Sequence, residues 1–307
     1  MPAKQIALRA VKSVPALPAR AKDSNKGDFG KILVVGGCRG MAGAPCLAGR
    51  AAGRGGAGLV RVVVPESIWD VAAIKLDECL TEGLAATPAG CFAATAFDRV
   101  FELSQWADVV VMGPGMSQAA DTSSLIRRAI LECERTLVLD ADALNAFGGG
   151  NIRKLKAAQE KWPRRAMVLT PHPGECGRLL GMQTSRVQAD RTSAVRQAVE
   201  ATNAVVVLKG AGTLVCDGRR LYKNTTGNPG MATGGTGDVL SGLIGALIGQ
   251  GLEAFEAACL GTYLHGLAGD IAAKRLGEWS MLAGDLLEAL PDAFLAHANR
   301  RTDNGKA

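Results

Sequence analysis

Asp238 closes a glycine-rich run, Asn224 to Gly242, that reads NTTGNPGMATGGTGDVLSG and holds glycines at 227, 230, 234, 235, 237 and 242. The residues after it, Val239-Leu240-Ser241, can start a helix. A glycine loop that feeds a helix N-terminus suits an anion. The first N–H groups of a helix have no intrahelical partner, and the helix dipole adds positive potential. Glycines let successive N–H groups turn inward and let a phosphate approach the backbone. The competing reading of Asp238 is a helix N-cap. A cap alone does not require six glycines.

Other residues could join such a site. His172 is held between Pro171 and Pro173 after an apolar run, and prolines stiffen the loop that carries it. Lys209-Gly210-Ala211-Gly212-Thr213 follows a second apolar run; it reads as a cover for a nucleotide or as a plain turn with a solvated lysine. Gly113-Pro114-Gly115 follows a third, where open α/β sheets place ligands, or where a tight turn is all that is needed. Arg50 and Arg54 share a helix face, which reads as a solvated edge rather than an anion contact.

These residues need a frame. Short apolar runs at 31–35, 59–64, 108–112, 136–139, 166–170 and 204–208 read as buried strands, with a further strand through Cys216. Helical patterns fall between them: within 41–58, with Pro45 in a first turn, and after Ser185, where Ser185 and Gln188 form an expected capping box. Ala194, Val195, Ala198 and Val199 give an apolar helix face. Further helices are expected over 237–249, within 253–275 and over 280–295. The alternation predicts a mostly parallel sheet with crossover helices. No linker or internal repeat divides the chain, so residues 1–307 are expected to form one domain. Residues 1–27 are expected to wrap its surface, and 299–307 to fray.

Composition narrows the function. Hydrophobic residues make up 48% and aromatics 4%, so the core must be aliphatic. The formal charge of +6 is mild and suits an anionic small molecule or a plain soluble protein equally; no dense basic run or stacking aromatics point to nucleic acid. The N-terminus shows no signal-peptide pattern and no apolar run has membrane-spanning length. Eight scattered cysteines without a CxxC pair read as buried thiols in a reducing cytoplasm. Three histidines are too dispersed for a metal cluster. The Walker pattern, the GxGxxG fingerprint and the protein-kinase motifs are absent, which disfavours those phosphate-binding machines.

The chain resembles the NAD(P)H-hydrate dehydratases, a branch of the ribokinase-like superfamily. The blocks that carry the likeness are GDFGKILVVGG (27–37), MAGAPCLA (41–48), GPG (113–115), LVLDADALNAF (137–147), LTPHPGE (169–175), VLKGAGTLV (207–215) and GNPGMATGGTGDVLSG (227–242). The resemblance implies a three-layer α/β/α sandwich with a mostly parallel central sheet. It implies repair of the S epimer of NADH hydrate and NADPH hydrate with ADP or ATP as co-substrate. The C6 hydroxyl would be phosphorylated and phosphate eliminated, leaving AMP or ADP. It assigns Asp238 as general base, with the N–H groups of Gly235, Thr236 and Gly237 holding the transferring phosphoryl group. Nucleotide contacts map onto Lys209, Gly210, Ala211, Gly212, Thr213 and Gly237; hydrate contacts map onto Ala44, Gly115, His172 and Asp238. Mg2+ would bridge the phosphates, with no ligands evident from spacing. The family also implies a homotetramer and cooperation with a hydrate epimerase. The epimerase domain sometimes fused ahead of this one is not expected, since about thirty residues precede the first strand expected from the sequence. A small-molecule kinase of the hydroxymethylpyrimidine or hydroxyethylthiazole type shares the GTGD logic but lacks the GNPGMATGGTGD and PHPGE pairing. An inactive nucleotide-binding regulator is disfavoured by the intact Asp238.

Overall fold

The computed structural model describes residues 7–17 and 19–304. Strands buried on both faces read as continuous aliphatic runs. That is why β2 (Lys31–Val35), β3 (Leu59–Pro65), β5 (Val109–Met112), β6 (Thr136–Leu139), β7 (Met167–Leu169) and β8 (Val205–Leu208) lie where the sequence places them. Three short strands were not anticipated: β1 (Arg9–Val11), β4 (Leu80–Leu84) and β10 (Arg220–Lys223), while β9 (Leu214–Cys216) is the expected strand through Cys216. One ten-stranded sheet results, in the order β1-β10-β9-β8-β7-β6-β5-β2-β3-β4. Neighbours from β8 through β4 are parallel; β9 is antiparallel to both β8 and β10.

The helices are α1 (Gly43–Arg54), α2 (Trp69–Lys75), α3 (Phe97–Trp106), α4 (Ala120–Glu132), α5 (Ala141–Asn145), α6 (Arg153–Lys161), α7 (Pro173–Leu180), α8 (Thr184–Ala189), α9 (Arg191–Thr202), α10 (Thr236–Gly249), α11 (Ala254–Leu276) and α12 (Ala283–Asn304). Successive side chains on a strand face opposite ways. Leu33 and Val35 accordingly join a core with Val100, Leu125, Ile126, Leu179 and Val195, from α3, α4, α7 and α9. Ile32 and Val34 join the other core, with Ala48 and Ala52 of α1, Ile244 of α10 and Phe255 of α11. Helices therefore cover both faces of the sheet. α12 packs outside, with Leu286, Leu287 and Leu290 against Leu243 and Leu264.

Several local expectations are corrected. Ser185 does not open a helix: α8 starts at Thr184, Gln183 is its N-cap, and no side chain caps it. The helix bearing Ala194 and Val195 is instead capped by Asp190, which accepts from the Ser193 amide. The last helix is longer than 280–295 and remains helical through Asn304; residues 305–307 of the expected frayed tail lie outside the described residues. Within the mostly exposed residues 7–27, Arg9–Val11 add an edge strand beside β10, which the sequence did not announce. Residues 1–6 and 18 lie outside the described set. No described helix is long and apolar enough to cross a membrane.

The chain runs from β2 outward to β3 and β4, then returns to β5 on the other side of β2. Loops at the carboxyl ends of β2 and β5 therefore diverge, which opens the crevice where sheets of this kind take ligands.

Candidate functional site

The carboxyl ends of β2, β5, β6, β7 and β8 carry Gly36, Gly113, Asp140, Thr170 and Lys209 in turn. At the β2/β5 divergence, Gly115 has φ +64°, and a Cβ on it would stand 3.0 Å from the Ala44 Cβ and 3.0 Å from the Met41 carbonyl oxygen. Ala44 lies in the first turn of α1. The two residues assigned to the hydrate side from opposite parts of the chain are thus neighbours.

A charged cluster forms at the next strand ends. Lys209 Nζ lies 2.7 Å from Asp140 Oδ1 and 3.8 Å from Glu175 Oε2; the lysine side chain is 17% exposed, Asp140 1% and Glu175 6%. The solvated-lysine reading is therefore wrong: Lys209 is committed to a buried ion pair. Burial opposes its charge, but Asp140 and Glu175 outweigh that and raise its pKa. The other residues of this turn behave differently. Gly210 packs toward Arg191 and Gly212 toward Lys223, while Thr213 Oγ1 donates to the Gly210 carbonyl. With Ala211 they form the hairpin beyond Lys209, between the antiparallel β8 and β9.

His172 is the N-cap of α7. Its Nδ1 accepts from the amides of Gly174 at 3.0 Å and Glu175 at 3.3 Å, and Glu175 Oε2 accepts from the His172 amide at 2.8 Å. This is a capping box at the start of α7, with a histidine in place of Ser or Thr and Pro173 at the first helical position. An accepting Nδ1 places the proton on Nε2, 3.3 Å from Glu175 Oε1. Burial, Lys209 and Arg178 all lower the His172 pKa and favour this neutral form.

The glycine run enters α10 through Gly235, whose φ of +96° makes it the left-handed N-cap. A side chain is unfavourable in that backbone region. Thr236 Oγ1 donates to the carbonyls of Met231 and Thr233, which ties the loop to itself. Asp238 is three residues past the cap and makes no capping hydrogen bond, so the helix-cap reading of Asp238 is set aside. Burial first, then the charge of Asp140, pushes its carboxyl up to about 7, against the lowering effect of Lys209. Gly237, unlike Gly235, does not have positive φ. It lies against the charged cluster: a Cβ there would stand 3.1 Å from Lys209 Nζ and 3.7 Å from Asp140 Oδ2.

The structure thus gathers Lys209, Gly237, Asp238 and His172 around one group of acidic side chains. Three members of this region were not singled out from sequence. Asp140 and Glu175 sit at strand and helix ends within motifs already quoted, and their position was the available signal. His265, on α11, gave no local signal; its Nε2 lies 2.8 Å from the Thr236 carbonyl oxygen.

The sheet order, the covered faces and a glycine loop at a helix start beside strand-end charges define a ribokinase-like α/β protein. The chain belongs to the NAD(P)H-hydrate dehydratase family, which it matches over residues 32–292. It is 38% identical over 290 residues to the ADP-dependent (S)-NAD(P)H-hydrate dehydratase of Neisseria meningitidis, covering 93% of this chain and 92% of that one. It is 44% identical over 277 residues to the bifunctional NAD(P)H-hydrate repair enzyme Nnr of Moorella thermoacetica, covering 90% of this chain. The chain spans about half of that relative's length, 51%. Among solved structures it is similar to the Bacillus subtilis ADP/ATP-dependent NAD(P)H-hydrate dehydratase co-crystallised with ATP/Mg2+, with a TM-score of 0.77 and 26% identity, covering 92% of this chain and 95% of that one.

Proposed function

We propose that this protein dehydrates the S epimer of NADH hydrate and NADPH hydrate to NADH and NADPH, using ADP or ATP. The observation that carries the reading is Asp238: a half-buried carboxyl with a pKa raised to about 7, in the first turn of a helix that follows a glycine loop. A general base works best with a pKa near the working pH. Asp238 takes the proton of the C6 hydroxyl as its oxygen attacks the terminal phosphoryl group. The N–H groups of Gly235, Thr236 and Gly237 hold the charge on that group, and AMP or ADP leaves. The ring nitrogen then expels phosphate from C6, and loss of a C5 proton restores the double bond. Ala44, Gly115 and His172 would bind the hydrate, and Lys209 to Thr213 with Gly237 the nucleotide.

Mg2+ belongs to this reading as a partner of the phosphates. No three His, Cys, Asp or Glu side chains among the described residues are grouped to hold a metal. Magnesium at a phosphate site is bound mainly by phosphates and water, with one or two carboxylates; Asp140 and Glu175, which share Lys209 in this structure, are the carboxylates that would hold it. When bound, the ion would neutralise charge on the transferring phosphoryl group. The proposal extends to a single ribokinase-like domain, a cytoplasmic setting, a homotetramer and a hydrate epimerase acting alongside.

The test is incubation with hydrated NADH, Mg2+ and either ADP or ATP. The reading predicts recovery of reduced-ring absorbance with equimolar free phosphate. A stable phosphorylated product without recovered absorbance would instead establish the kinase reading.

A further inference from the structure

Helix α11 presents one face to the glycine loop. Thr262, His265, Gly266, Gly269 and Asp270 follow the helical spacing of three and four residues that keeps side chains on one side. The Thr262 carbonyl accepts from Asn224 Nδ2 at 3.3 Å, and Asp270 accepts from the Gly227 amide at 2.9 Å and from Asn228 Nδ2 at 3.1 Å. A Cβ on Gly266 would stand 2.2 Å from Thr226 Oγ1, and one on Gly269 2.4 Å from Met231 Sδ. These contacts hold the start and middle of the loop. His265 reaches its far end, the first turn of α10, with Nε2 2.8 Å from the Thr236 carbonyl oxygen.

A carbonyl oxygen can only accept, so Nε2 carries the proton and donates. His265 is 8% exposed. Burial drives its pKa down to about 4, so the ring stays neutral and this donor persists through the neutral range. The Thr236 carbonyl and the Gly237 N–H belong to one planar trans peptide and point in opposite directions. Fixing the oxygen against α11 therefore fixes the direction of the Gly237 N–H, which leaves the helix start toward the anion-binding end.

We propose that His265 is a positioning residue: its hydrogen bond to Thr236 orients the Gly237 N–H toward the terminal phosphate of the bound nucleotide. This rests on the nucleotide reading above. Nothing else in that reading uses His265, and its action is through the backbone rather than by contact with the reacting atoms. A residue that only fills space would support all nucleotides alike. A residue that aims one donor at the transferable phosphate discriminates nucleotides that have that phosphate from AMP, which lacks it.

The experiment is calorimetric titration of the full chain with ADP, ATP and AMP in the presence of Mg2+, for wild type, His265→Ala and His265→Gln. His265→Ala is expected to raise Kd for ADP and ATP about tenfold, the scale of one hydrogen bond to a charged group, and to leave Kd for AMP nearly unchanged. His265→Gln keeps an N–H donor at the Nε2 position and is expected to restore most of the ADP and ATP affinity. Equal losses for all three nucleotides, no loss in a folded His265→Ala protein, or no restoration by Gln would each overturn the positioning role. Should His265→Ala not fold, the Gln variant decides: a tenfold loss for ADP and ATP in it overturns the role, and retained affinity supports it. Wild-type protein that binds neither ADP nor ATP is a different outcome and overturns the nucleotide reading itself.

Discussion

The duties proposed for Asp238 and His172 can each be isolated by substitution. Asp238→Asn is expected to lower hydrate turnover by about 10²–10⁴, the usual range for loss of a general base, while nucleotide binding persists; turnover and titration check the two halves. In the wild type, turnover should rise with pH through about 7, where Asp238 ionises. Stability moves the other way. A carboxyl raised from 3.8 to about 7 binds its proton more tightly in the native state than in the unfolded one. Its contribution is complete below the unfolded value and is lost as pH rises through the folded value. Asp238→Asn cannot ionise, so its melting temperature should exceed that of wild type at pH 8 by more than at pH 4. A residue that is both costly and functional has that signature.

His172 was legible as a special histidine because of its flanking prolines, but its helix-capping duty was not. The usual cap alphabet is Ser, Thr, Asp and Asn, and nothing in the sequence shows that an imidazole nitrogen takes that place. The two duties separate by choice of substitution. His172→Asn keeps a cap acceptor and should leave stability near wild type; His172→Ala should cost about 1 kcal/mol. Both should weaken the hydrate more than the nucleotide in parallel titrations. The cap needs an unprotonated Nδ1, and the folded pKa is lowered from 6.5. Its stabilisation is therefore present above 6.5 and lost as pH falls through the lower, folded value.

At the scale of elements, the glycine run divides in two. Its loop half serves conformation, as at Gly235. Its helical half serves packing: Gly242 lies inside α10, and a Cβ on it would stand 2.0 Å from the Ala48 carbonyl oxygen of α1. That neighbour is backbone and cannot swing aside. Gly242→Ala should therefore destabilise the protein by about 1–3 kcal/mol, as overpacking does, read from urea unfolding midpoints. Gly284→Ala is the matched control. It lies in the first turn of α12 with nothing within 4 Å of its Cβ position, and it should be neutral or stabilising by up to about 1 kcal/mol. The sequence showed both glycines and could not tell them apart, because the difference is a contact with another helix. The same limit explains the strands. Central strands announce themselves as Val and Leu runs; β4 reads LTEGL and β10 reads RLYK, with partly exposed patterns that lack such a run. The misplaced capping box at Ser185 is a shift of register by two residues at a helix start, where boundaries are least determined by local sequence.

At the scale of the whole molecule, the acidic cluster is the part least visible in advance. Asp140 and Lys209 are 69 residues apart, and only the parallel order of β6, β7 and β8 brings their strand ends together. The order of motifs along the chain was enough to indicate the fold and to propose the strand ends that make the candidate site; the pairing inside it required the sheet.

The same sheet links the N-terminal segment to the glycine loop. β1 pairs with one edge of β10, with Arg9 donating to the Arg219 carbonyl at 2.9 Å, and β10 leads directly into Asn224 and the loop. Downstream, the Pro15 carbonyl lies 3.0 Å from His297 Nε2, and Arg20 Nη2 donates to the Gln250 side chain at 2.9 Å. Deleting residues 2–13 would remove β1 and leave these later ties. The uncovered β10 edge is an invitation to pair with another chain. The truncated protein should therefore melt a few degrees lower, on the order of 1–2 kcal/mol for a chain of this size, and should associate more at high concentration by light scattering. Nucleotide affinity should change by less than about threefold, well under one hydrogen bond. The loop keeps its own anchors to α11 through Asn224, Thr226 and Asp270, and none of these passes through β1. A truncated protein that stays monomeric and folded yet loses nucleotide affinity would show that β1, acting through β10, sets the loop, and that the α11 anchors do not suffice.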